Sequence, residues 1–357
     1  MANRNRTKMS RLIFERLAVA AQQRGVQIHE SKEIRYIKRI SNDDAALMSE
    51  AEVSAQSISR SQKLVRINWK GEKYFVIFGF NEPDQCPLGV DYSILTPGMF
   101  AASVYAADIY PSHLVTGAQI RDAIELDHGG ILGYEGHDLS VIQPLFSSCI
   151  TFKVSSQEEY FNSDYRMLGA IAARSYVSGP LHIDPETLKQ LAYLFESGPE
   201  FLPYRSVLQG LLSFAWESLF LEAYRCLEQL YAQPHAAALT SLWTSTLPLR
   251  DVVKLLESCL SWRPKEDESL FGLIKSCDSS SIQQLCLAFD ISYSSGDVEK
   301  SSKDASGKIY KLRNNVVHYR PIHEIVLKSD EECNQIIRAM FLAIGDIYRK
   351  HEKSFFC

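Results

Sequence analysis

The hydrophobic pattern of this chain changes period near residue 180. Before that point, short alternating runs are separated by turns. In KLVRINWKGEKYFVIFGF (63–80), Val65, Ile67 and Trp69 share one face, Lys70-Gly71 makes a turn, and Tyr74, Val76 and Phe78 continue beyond it. Alternation broken by such a pair predicts a β-hairpin. CITFKV (149–154) predicts another strand, while SRLIFERLAVAAQQRG, closing at Gly25, and NDDAALMSEAEVSAQSI predict helices.

Beyond residue 180 the period is helical almost throughout. Asp184-Pro185-Glu186 places an N-cap, a first-turn proline and a first-turn acid before LKQLAYLFES, so a helix starts there. A single long helix is predicted from Tyr204 to Gln233, with Leu212, Trp216, Leu219, Phe220, Ala223, Leu227 and Leu230 on one side and Ser218, Glu222, Arg225 and Gln229 on the other. PLRDVVKLLESCLSW, SSIQQLCLAF and SDEECNQIIRAMFLAIGDIYRKHEK predict further helices. SYSSGDVEKSSKDASG (292–307) is too polar to pack and predicts a mobile loop. No internal repeat is visible. The expectation is an α+β chain: a mixed α/β domain over 1–180, its topology open, then an all-α bundle over 181–357.

Composition narrows the class. With 357 residues, 46% of them hydrophobic, the chain has room for two cores. No apolar run approaches the ~20 residues that cross a bilayer, and the basic start MANRNRTKMSR leads into an apolar stretch carrying a glutamate, so a cytoplasmic protein without a membrane partner is expected. The eight cysteines form no CxxC pair and no regular framework, which fits reduced thiols.

Against a formal net charge of −5, KIYKLRNNVVHYRP (308–321) holds four cationic side chains and no acid. At 100° per residue, Ile309, Leu312, Val316 and Tyr319 share a face that packs inward. Asn314 and His318 lie one turn apart on the opposite face, Arg313 stands on the flank, and Pro321 stops the helix. The expectation is an Arg/Asn/His set pointed away from the helix's own core, with Lys308, Lys311 and Arg320 adding positive potential.

That set suits RNA cleavage by attack of a ribose 2′-hydroxyl on the adjacent phosphate. Histidine moves the proton, and the planar fork of arginine holds phosphate oxygens. No metal or other cofactor is required. The lysines would attract the phosphate backbone in a salt-dependent way, and DNA, without the 2′-hydroxyl, would be bound but not cut.

Arg313-Asn314 followed by His318 resembles the R-x4-6-H signature of HEPN domains, in which a polar residue commonly follows the arginine. The helical segment from about 185 to 357 resembles that family as well. The resemblance implies a metal-independent endoribonuclease effector of a toxin or anti-phage abortive-infection system, with Arg313 and His318 catalytic, Asn314 their polar companion, and Lys308, Lys311 and Arg320 contacting RNA. It also implies a homodimer that brings two motifs together. The N-terminal half would then sense, restrain or deliver, answering to a protein or phage-derived trigger. The alternative is a non-catalytic HEPN-like module that binds nucleotide or protein.

Other candidates read as structural. Glu222 and Arg225 sit three apart, as in an ordinary surface ion pair. His323 and Arg320 follow the motif in what reads as a loop. ELDHGGILGYEGHDL supplies Asp127, His128, Glu135, His137 and Asp138, legitimate metal-ligand types without an established ligand spacing. No P-loop, dinucleotide fingerprint or nucleophile elbow is present.

Overall fold

The computed structural model describes residues 5–29, 34–125, 134–155, 163–176, 179–242, 247–260, 263, 265–317 and 329–357. The chain divides into two units, Met1–Asp164 and Tyr165–Cys357.

The first unit is built around the expected hairpin. Strands β2 (Lys63–Trp69) and β3 (Glu72–Phe78) pair antiparallel, with Val65 opposite Val76 and Ile67 opposite Tyr74. Lys70 and Gly71 both have positive φ, 51° and 83°, which is the two-residue turn that matches strand twist. The edge strand β1 (Glu52–Ser57) pairs with β2, and β4 (Val90–Tyr92) and β5 (Cys149–Val154) complete an antiparallel sheet of order β1-β2-β3-β5-β4. The last strand therefore inserts between its predecessors. Helices α1 (Arg6–Gln23), α2 (Asn42–Glu50), α3 (Pro97–Ala106), α4 (Gly117–Glu125) and the short α5 (Leu139–Ile142) join this unit. Leu17, Phe100 and Ile120 from three of them form one core with Val65, Val76 and Phe78, each burial contributing roughly 2 kcal/mol. The helix expected across residues 42–58 is corrected. It ends at Ala51, whose ψ of 143° turns the chain out of the helix, and EVSAQS forms the edge strand β1 instead.

The second unit is helical: α6 (Asp164–Arg174), α7 (Pro185–Ser197), α8 (Tyr204–Leu211), α9 (Trp216–Glu228), α10 (Gln233–Leu242), α11 (Leu249–Leu260), α12 (Glu266–Lys275), α13 (Ser279–Ala288), α14 (Val298–Val317) and α15 (Asp330–Phe356). The unit takes in α6, upstream of the change of period near 180. The Asp184 carboxylate accepts the Thr187 N–H at 2.7 Å, and Ser329 forms a reciprocal capping box with Glu332. Asn334 of α15 ties the two helix starts together, accepting from Asp184 N–H at 2.9 Å and donating to the His182 carbonyl at 2.9 Å. The closing helix α15 packs against α7, α9, α11, α12 and α13. Among the described residues, no helix is long and apolar enough to cross a membrane.

At its entry, this unit uses arginine as cement. Arg166 donates to the carbonyls of Phe195 (2.8 Å), Glu196 (3.1 Å) and Gly198 (3.2 Å) at the end of α7, and its guanidinium lies 4.7 Å over the Tyr204 ring. These bonds satisfy carbonyls that a helix end leaves without partners. Arg174 grips the Glu196 carboxylate with two bonds, 2.6 and 2.8 Å. Gly169 lets α6 approach α7 closely, since a Cβ there would lie 2.1 Å from the Phe195 ring.

Two expectations for this unit are corrected. The single helix from Tyr204 to Gln233 is two, α8 and α9. They are broken where the Ser213 hydroxyl engages the Gly210 and Ala215 carbonyls and Ala215 turns extended. Gly210 permits the tight reversal, because a Cβ there would lie 2.9 Å from Leu219 Cδ1. The mobile loop expected over 292–307 is also overturned: from Val298 onward it is the first half of α14, with Ser301, Ser302, Ala305 and Ser306 buried. Its serines are buried without penalty because each hydroxyl bonds its own helix, Ser302 to the Val298 carbonyl at 2.8 Å and Ser306 to that of Lys303 at 3.0 Å. The Asp297 carboxylate accepts the Lys300 N–H at 3.0 Å and caps the start.

Candidate functional site

Helix α14 lies against α12, α13 and α9. Its buried stripe runs through Ser302, Ala305 and Ile309, with Leu312, Arg313 and Val316 half-buried beyond them. Arg313 stands four positions after Ile309, only about 40° further round the helix. It therefore turns inward rather than projecting outward as expected from the sequence. Its side chain is 18% exposed, with Nη2 3.6 Å from Glu228 Oε1 on α9 and Nη1 3.7 Å from Glu266 Oε2 on α12. The guanidinium lies 5.6 Å over the Tyr224 ring. Nη1 donates to Asn314 Oδ1 at 3.0 Å, so the asparagine beside the arginine holds the arginine.

The surroundings are unusual for a surface ion pair. Burial raises Glu228 above the ordinary carboxylate range; Arg313 pulls it back, Glu266 adds to the rise, and Arg225 opposes it. Burial also pushes the Tyr224 hydroxyl up to about 12, an effect that neighbouring Tyr231 partly offsets. Burial raises Tyr231 as well, and Tyr224 adds to that shift. The two phenols meet with rings edge to face at 6.1 Å. Among the described residues neither hydroxyl has a hydrogen-bond partner of ordinary geometry, and each is the other's nearest candidate for one, a contact that lowers Tyr224 and raises Tyr231. Glu222 Oε2 is likewise buried without a partner, although Oε1 pairs with Arg225. Buried polar atoms are nearly always bonded, so three exceptions within ten residues mark this end of α9.

Other sequence candidates fall in different places. Lys308 and Lys311 are exposed on α14. His318, Arg320 and His323 lie outside the described residues, as do Asp127 and His128. Glu135 pairs with Lys38 at 3.0 Å. His137 is fully buried, with Nδ1 2.7 Å from the Tyr134 hydroxyl and Nε2 3.2 Å from the Ile124 carbonyl, a structural arrangement. Asp138 precedes α5 as its N-cap residue without a side-chain bond to it. Among the described residues no three His, Cys, Asp or Glu side chains are grouped to hold a metal. The described cysteines are free thiols; burial raises Cys149 and Cys226, and takes Cys277 up to about 12, which leaves these thiols poor nucleophiles.

Sequence reasoning missed Glu228, Glu266, Tyr224 and Tyr231. A signal existed for the phenols: Phe220, Tyr224, Leu227 and Tyr231 follow the i, i+4, i+7, i+11 spacing of a buried stripe, and a tyrosine on such a stripe raises the question of its hydroxyl. The two glutamates come from separate helices, and nothing local links them to Arg313.

The chain matches no family model, no curated protein and no solved structure at a significant level.

Proposed function

We propose that the helical unit is a metal-independent endoribonuclease of the HEPN type. Arg313 holds the scissile phosphate, and His318 moves the proton. The ribose 2′-oxygen attacks phosphorus and loses its proton, the bond to the 5′-oxygen of the next nucleotide breaks, and that oxygen takes a proton. The products are a 2′,3′-cyclic phosphate and a free 5′-hydroxyl. Charge building on the phosphoryl oxygens is what the guanidinium stabilises. Lys308 and Lys311, exposed on the same helix, and Arg320 supply the sequence-independent attraction to RNA.

The observation that carries the reading is the state of Arg313. Its ion-pair distances of 3.6 and 3.7 Å orient the guanidinium yet lie beyond ordinary hydrogen-bond range, so among the described residues most of its N–H donors remain for an anion. A single motif supplies one histidine, whereas the reaction assigns both a base and an acid. Two motifs facing across a twofold axis supply both, and this favours a homodimer. The N-terminal unit then serves as the sensor or restraint of a cytoplasmic toxin or anti-phage effector, answering to a protein or phage-derived trigger.

A second reading has its own support. Two carboxylates already neutralise Arg313, which suits a non-catalytic nucleotide- or protein-binding module in which this cluster only joins helices. Expression of the wild type and of His318→Ala in a bacterial host, with total RNA examined after induction, separates the two. RNA cut only by the wild type supports the nuclease. Intact RNA in both, also after challenge with phage as a source of trigger, supports the binding module. Mixed Arg313→Ala and His318→Ala chains are expected to recover part of the activity, and light scattering to show a dimer.

A further inference from the structure

Arg313 is more buried than either carboxylate beside it: 18% exposed against 36% for Glu228 and 42% for Glu266. The acids thus stand on the more solvent-accessible side of the cation. An approaching phosphate meets them together with the guanidinium. One cation between two carboxylates leaves a local excess of one negative charge, which opposes any anion. Arg313 donates to Asn314 at 3.0 Å but holds the glutamates only at ion-pair distance, so attraction rather than a locked bidentate fork keeps them there.

We propose that Glu228 and Glu266 form a carboxylate gate over an anion site at Arg313, and that a phosphate group of RNA takes the guanidinium from them while Glu228 takes up a proton. The gate rests on the proposed contact between Arg313 and RNA and concerns its regulation. When phosphate replaces carboxylate at the guanidinium, Glu228 loses the cation that favoured its charged form and gains a negative neighbour. Both changes favour protonation. Glu228 is the suited acceptor because burial already raises it above the ordinary value of 4.5. The groups facing it are Arg313 from α14, Glu266 from α12, and Arg225, Tyr224 and Tyr231 from its own stretch of chain. Of the other helices packed on α9, α15 directs Tyr348 to the Cys226 carbonyl and to Gln229, and α8 lays Gly210 beside Leu219 and Glu222.

The sign follows by linkage. If the bound state holds one more proton, affinity for RNA rises as pH falls toward the Glu228 range, by at most about tenfold per pH unit, and flattens once Glu228 is protonated in both states. The test uses the full chain carrying His318→Ala, which removes cleavage and that histidine's own titration. Binding of a single-stranded RNA oligonucleotide is read by fluorescence anisotropy at constant ionic strength, at about pH 7.5 and about pH 5.5. Affinity is expected to rise severalfold on acidification. Adding Glu228→Gln should give the tight binding already at the higher pH and reduce the remaining response to about twofold. Glu266→Gln should tighten binding but keep the response, and Arg313→Ala should abolish both.

Calorimetry of the same RNA in buffers of different ionisation enthalpy reads proton uptake without a substitution at position 228. Uptake of a fraction of a proton near pH 6 supports the gate, and none overturns it. Unchanged affinity and pH response in Glu228→Gln also overturns it. If the wild type still cleaves RNA in an Arg313-dependent manner, only the gate fails. Absence of both cleavage and Arg313-dependent binding removes the nuclease reading with it.

Discussion

Arg166 and Arg313 are both largely buried in the helical unit, each lies over a tyrosine ring, and they are held in opposite ways. Arg166 spends its donors on three backbone carbonyls at 2.8 to 3.2 Å. Among the described residues, Arg313 makes one hydrogen bond, to its neighbour Asn314, and faces two carboxylates at 3.6 and 3.7 Å. Tyr204, under the first guanidinium, donates its hydroxyl to the Pro199 carbonyl at 2.6 Å, whereas the hydroxyl of Tyr224, near the second, makes no hydrogen bond of ordinary geometry among the described residues. An arginine that commits its Nε and Nη2 donors to backbone carbonyls closes a helix end. An unsaturated one in a cluster of unpartnered polar atoms has donors in reserve, and proteins retain such arrangements mainly where function needs them.

The contrast is broken most strongly by removing each arginine in turn. Arg166→Ala leaves the end of α7 without its donors and is expected to cost about 3 kcal/mol or more in urea denaturation. Arg313→Ala should cost under about 1 kcal/mol in the same assay, because its ion pairs are long and partly solvated. Equal losses would erase the distinction.

A carboxylate held by several donors sharpens it. Burial alone would raise Asp346, but hydrogen bonds from the Ser281 hydroxyl (2.5 Å), Arg349 (3.1 Å) and the Asp278 amide (3.2 Å) outweigh it and bring the carboxyl below its ordinary 3.8. The stability this carboxylate contributes is present above its unfolded value and lost as pH falls through the lower folded value. Asp346→Asn should therefore cost about 2 kcal/mol near neutrality, with the gap to the wild type closing in acid. A gap that does not narrow as pH falls below the ordinary 3.8 would assign the loss to packing instead.

The smallest effect should carry the opposite sign. Tyr224→Phe and Tyr231→Phe each delete a buried hydroxyl that has no hydrogen bond of ordinary geometry among the described residues, so each should raise stability by up to ~1 kcal/mol, read as a higher midpoint of thermal unfolding. If these hydroxyls serve the site, RNA cleavage should fall in the same proteins. A loss of stability would mean the hydroxyls are bonded in solution.

Much of this architecture was legible where a local rule decides the structure. Lys70-Gly71 between alternating runs specified the hairpin, and Asp184-Pro185 specified a helix start, because a turn or cap is determined by a few adjacent residues. The Ser-rich stretch before the motif was misread because burial of Ser301, Ser302 and Ser306 depends on hydroxyls bonding their own helix, which composition does not reveal. The division of α8 from α9 was invisible because the apolar stripe continues across it. The motif placed Arg313 on its helix, but the partners its guanidinium meets, Glu228 and Glu266, come from chain segments 85 and 47 residues upstream.

The central claim, that Arg313 is held in readiness for a phosphate, is tested most directly by RNA cleavage with the purified full-length chain. Wild type, Arg313→Ala and His318→Ala are compared in excess chelator, with folding verified by circular dichroism and the cleaved ends identified. The account predicts 2′,3′-cyclic phosphate ends from the wild type and a loss of about a hundredfold or more in either folded variant. A folded Arg313→Ala protein that cuts RNA at the wild-type rate would contradict it.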